Sequence, residues 1–94
     1  MTARWQEVIM EQLNFEEEWE KVERHGAPCM VDMLCREKKT YTGPGEEYTP
    51  LWDISNENIP LQLEEIKRNK NGVLWGRLKS GKGWVDLKET KFHE

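Results

Sequence analysis

The segment Gly72-Val-Leu-Trp-Gly-Arg-Leu-Lys-Ser-Gly-Lys-Gly-Trp-Val-Asp-Leu87 constrains this chain more than any other. Val73, Trp75 and Arg77 alternate with Leu74, Gly76 and Leu78, the period-2 pattern of a half-buried strand. Ser80-Gly81-Lys82-Gly83 supplies residues that tolerate positive φ, as a tight connection requires. Trp84-Val85-Asp86-Leu87 then alternates again. A strand, a glycine turn and a second short strand point to a small antiparallel β structure.

The rest of the chain divides at Gly26 and Pro28. Before them the apolar period is helical. Trp5, Val8, Ile9 and Leu13 form one stripe and Phe15, Trp19 and Val22 a second, displaced by about a quarter turn. Asn14 is a good N-cap, with Glu17 as reciprocal partner. Glu17–Lys21 and Glu20–Arg24 have i,i+4 spacing. His25 sits where a cation complements a helix C-terminus. From Pro28 the period becomes two. Cys29, Val31, Met33 and Cys35 face one way, Met30, Asp32, Leu34 and Arg36 the other. Lys38–Tyr48 reads as a long loop, Pro50–Ile54 and Ile59–Ile66 as strands, and Glu64-Glu65 as a bulge. Asn69-Lys70-Asn71-Gly72 is a hairpin turn. The expected inward positions of the sheet are Leu61, Leu63, Val73, Leu78, Val85 and Leu87.

Charge and composition narrow the function. Residues 1–25 carry seven Glu against three bases, and residues 26–94 carry eleven acids and eleven bases, so the whole imbalance of −4 lies in the N-terminal segment. No basic stripe for nucleic acid is present. The longest apolar run is three residues, so no membrane span is expected. Met1-Thr-Ala-Arg-Trp-Gln-Glu has neither the basic start nor the apolar core of a leader, and a cytoplasmic location is expected. Cys29 and Cys35, about 20 Å apart along one strand, are too far apart to bond. His25, His93, Cys29 and Cys35 lack ligand spacing for zinc, and no cofactor is expected. Both thiols alternate with apolar strand residues and read as buried, inert groups. The paired carboxylates lie on a Glu-rich helix and read as solvation. Gly43-Pro44-Gly45 lacks the Gly-Lys-Ser/Thr ending of a phosphate loop. Nothing points to an enzyme.

Two segments carry a family resemblance. Trp75-Gly-Arg-Leu-Lys-Ser-Gly-Lys-Gly-Trp-Val-Asp-Leu87 resembles the closing strands of bacterial SH3-like (SH3b) domains, and Arg36-Glu-Lys-Lys-Thr-Tyr-Thr-Gly-Pro-Gly-Glu-Glu-Tyr48 resembles their opening segment. Together they span about residues 28–90. The resemblance implies a mainly β fold, a small five-stranded SH3-like barrel over residues 28–94, here with an N-terminal α extension over residues 1–26. It also implies a ligand groove lined by aromatics between the long first loop and the strand ends. Tyr41 and Tyr48 fall at the loop, Trp84 opens the last strand, and Trp75 flanks the same loops. Trp75 and Trp84 have two readings, groove wall or core. Trp19 and Trp52 are expected to join helix and barrel. The function expected is a non-catalytic binding module for a protein or peptide. In an alternative, the acidic helix with Glu16, Glu17 and Glu20 contacts a host enzyme, as in an inhibitor encoded by a phage or mobile element. Family members are often exported and bind cell wall, which makes wall binding a further reading.

Overall fold

The computed structural model describes residues 16–94. The expected Asn14 cap, the stripe of Trp5, Val8, Ile9 and Leu13, and Phe15 of the second stripe lie outside the described residues. Helix α1 occupies residues 16–25 and stops at Gly26, whose φ of 80° only glycine adopts freely. Seven strands follow: β1 (Cys29–Met33), β2 (Glu37–Tyr41), β3 (Pro50–Ser55), β4 (Leu61–Arg68), β5 (Leu74–Leu78), β6 (Trp84–Asp86) and β7 (Thr90–Phe92).

The strands make one antiparallel sheet in the order β3-β2-β6-β5-β4-β1-β7. Its length depends on β4. The first residues of β4 pair with β1 (Cys29 opposite Leu63, Val31 opposite Leu61), and from Leu63 onward it pairs with β5. The register shifts between Leu63 and Glu65, so the expected bulge at the Glu doublet is present. The β4–β5 turn has Gly72 at φ 78°, and the Asn69 carboxamide oxygen accepts from the Asn71 and Val73 N–H groups.

Alternation sorts the core as expected for β1: Cys29, Val31 and Met33 are buried, while Met30 between them is exposed. Val31, Leu63, Leu74, Leu78, Val85 and Leu87 form the centre, and Trp19 and Val22 close it from the helix. Leu61, Val73 and Ile54 pack around it, partly buried. Three polar ties bind α1 to the sheet. The Trp19 indole N–H donates to the Leu87 carbonyl at 2.8 Å. The Glu18 carboxylate accepts from the Phe92 N–H at 2.7 Å. Arg68 makes a two-pronged pair with Glu23 at 2.8 and 2.9 Å and lies 5.4 Å from the Trp19 ring centre. This Glu23 contact pushes the Arg68 pKa upward.

Several expectations are corrected. The mainly β fold with a helix before it is as expected, but the strand count is not: the single antiparallel sheet has seven strands where five were expected, and no pairing joins its end strands β3 and β7 among the described residues. The two extra strands are β2, in the stretch read as loop, and β7. Strand β2, Glu-Lys-Lys-Thr-Tyr, is polar yet lies inside the sheet between β3 and β6, with Thr40 and the Lys38 side chain buried. The first strand ends at Met33, so Cys35 lies beyond it, half-buried, with its thiol 3.5 Å from the Glu37 carbonyl. Leu74, absent from the expected inward positions, is fully buried, whereas the expected Val73 is only partly so. Lys21 pairs with Glu18, three residues back, and not with Glu17. Trp19 joins helix to sheet as expected, but Trp52 is 59% exposed and does not.

Candidate functional site

The outer face of β2, β6 and β5 gathers most of the aromatic set. Strand register places Trp84 opposite both Tyr41 and Arg77, and Trp75 opposite Asp86. Tyr41 meets Trp75 edge-on, with ring centres 5.6 Å apart and planes at 78°. The β2–β3 connection folds over this face. It is closed at its base by the Thr42 N–H on the Thr49 carbonyl (2.9 Å) and inside by the Tyr48 N–H on the Gly45 carbonyl (3.2 Å). The Tyr48 ring lies against Gly43 so closely that a Cβ there would stand 2.6 Å from it.

Between this loop and the β4–β5 turn lies a small cleft of about 90 Å³. Glu46 and Glu47 approach it from the loop, Asn69 and Asn71 from the turn, and Trp75 and Asp86 from the strands. Asp86 is engaged: its carboxylate accepts from Lys38 Nζ at 2.9 Å and from the Lys88 N–H at 3.1 Å, with the Lys38 side chain only 7% exposed. Glu46 and Glu47 make no ion pair among the described residues.

Trp75 is the unusual member. It is buried to 2% exposure, yet its indole N–H has no hydrogen-bond acceptor among the described residues. Burying a ring of this size is worth about 4 kcal/mol or more, from roughly 150 Å² at about 25 cal/mol per Å². An unsatisfied buried donor costs about 1–3 kcal/mol. The ring therefore stays in, and an acceptor brought to its N–H recovers most of that cost.

The structure thus brings together Tyr41 and Trp75 and places Trp84, half-buried, beside them. Of the two readings for Trp75, burial holds for the ring and for the indole nitrogen alike, although the residue forms part of the cleft wall. Tyr48 is 43% exposed and packs on Gly43; no ring contact joins it to Tyr41 or Trp75 among the described residues. Glu16, Glu17 and Glu20 are exposed on α1. Sequence reasoning missed Glu46, Glu47, Lys38 and Asp86. The Glu doublet between Gly45 and Tyr48 was a visible signal, whereas the Lys38–Asp86 pair joins residues 48 apart and had none. Cys29 is buried, which pushes its thiol pKa upward. Among the described residues no group of three His, Cys, Asp or Glu is arranged to hold a metal, and no helix is long and apolar enough to cross a membrane. Comparison with protein-family models, curated proteins and solved structures finds no match for this chain.

Proposed function

We propose that the chain is an SH3-like β-barrel module that binds an extended peptide segment of a protein partner and performs no catalysis. Two features support the fold. The long β4 is shared between β1 and β5, and β7 returns to β1 after the β2–β3 hairpin has folded across the sheet. The observation that carries the function is the orphaned Trp75 N–H at a cleft rimmed by Glu46 and Glu47. A peptide carbonyl satisfies the N–H, and a neighbouring Lys or Arg side chain meets the two glutamates. Tyr41, Tyr48 and Trp84 supply ring faces for the flanking residues.

The test is calorimetric titration with an array of Lys- and Arg-containing decapeptides. Trp75→Phe keeps an aromatic ring, smaller than the indole, and removes the donor. It should lower affinity about tenfold, roughly 1.4 kcal/mol, under conditions where unfolding curves show the variant folded, since the smaller ring itself costs about 0.5–3 kcal/mol of stability. Tyr48→Ala should cost a similar factor. Wild-type affinity in Trp75→Phe would sink the reading.

One observation favours a second reading. Glu18 and Glu23 are spent on Phe92 and Arg68, while Glu16, Glu17 and Glu20 stay exposed. They leave an acidic helix face for a basic surface on a partner enzyme, the arrangement an inhibitor from a phage or mobile element would use. Reversing all three charges should abolish binding in that case, and should change little if the cleft binds.

A further inference from the structure

Among the described residues strand β3 ends the sheet and is bonded only to β2, which leaves one side of its backbone unpaired there. An unpaired edge is a template for another strand, and proteins usually blunt it. Here the blunting is slight: Pro50 opens the strand and Asp53 sits mid-strand. Asp53 lies 3.8 Å from Lys39, both more than half exposed, so that pair holds neither in place. All six residues are exposed or half-exposed. Tyr48, Leu51, Trp52 and Ile59, four of the large exposed apolar side chains, lie in or beside this strand. Alternation puts Trp52 on the same face as Ile54, which packs on the core, yet Trp52 is 59% exposed.

A groove of about 700 Å³ runs along this edge. Asp53, Ile54 and Ser55 form one wall, with Glu57 beyond, and Leu61, Leu78, Lys79 and Lys82 form the other. The walls carry opposite charge, acids on the β3 side and lysines on the β5–β6 side.

We propose that β3 receives an extended segment of a partner polypeptide as an added strand. The segment's alternate apolar residues cover Trp52 and Ile54, a basic residue faces Asp53 and Glu57, and an acidic residue faces Lys79 and Lys82. Main-chain hydrogen bonds supply the affinity and the charged walls the orientation. This site is separate from the Trp75 cleft.

The test uses a library of octapeptides with Val, Ile, Thr or Tyr at every second position and Lys or Glu between, titrated into the ¹⁵N-labelled chain. A binding member should shift the β3 amides. N-methylation at every second peptide residue should cost tenfold or more, and at the intervening residues little. Trp52→Ala should weaken binding, whereas Trp75→Phe should not, which separates this site from the cleft. The proposal is overturned if no member binds, if methylation effects show no alternation, or if the free chain sediments as a dimer with protected β3 amides.

Discussion

The two ends of the sheet are treated differently. At one end β7, only three residues long, has its Phe92 N–H capped by the Glu18 carboxylate, and the chain just before it is held by Trp19 on the Leu87 carbonyl. At the other end β3, six residues long, has no helix against it among the described residues and exposes Leu51 and Trp52. The same chemistry, unpaired backbone beside apolar side chains, is closed at β7 and open at β3. The difference teaches that α1 is a clamp on one edge, so its carboxylates divide into those that hold the fold and those that face out.

The comparison breaks first at the clamp. Trp19→Ala removes a core ring, the bond to Leu87 and the surface under Arg68. It should cost about 3–5 kcal/mol in urea unfolding. A loss under about 1 kcal/mol would show that the helix is not part of the fold. Glu18→Ala should cost about 1–3 kcal/mol, because the Phe92 N–H loses its acceptor at an enclosed edge. Hydrogen exchange at Phe92 should rise in step. At the open edge Trp52→Ala should change stability by no more than about 0.5 kcal/mol. A larger loss would mean that Trp52 is packed and the edge is not open.

The smallest effect concerns the thiols. At mildly alkaline pH a thiol reagent should label Cys35 well before Cys29, because Cys29 is buried and its raised pKa keeps the thiolate scarce. Raising the pH should narrow the gap, since the thiolate fraction of Cys29 grows as the pH approaches its pKa. Equal rates at the lower pH would place Cys29 at the surface.

Much of the sheet was legible. The alternation from Cys29 to Met33, the Glu64-Glu65 bulge and the Asn69–Gly72 turn appear where their residues point. Less of the site was. Tyr41, Trp75 and Trp84 could be named as neighbours of the loops. That Trp75 would be buried with its N–H unsatisfied depends on the loop over residues 42–49 folding across the outer face. Strand β2 escaped notice because its residues show neither apolar alternation nor a turn.

Most strands and turns, though not β2 or β7, and the apolar faces of β1 and β5 could be read from the residues alone. Those properties follow from side-chain alternation and from local backbone preference, which act over a few residues. Tertiary structure alone decided which apolar residues are covered. Trp19 and Trp52 are the same residue type, each beside acidic neighbours, yet one is 6% exposed and the other 59%. What separates them is whether a second element lies opposite, and that is set by contacts such as Trp19 to Leu87, 68 residues apart. Burial is a property of the partner surface as much as of the residue, and no local pattern encodes it.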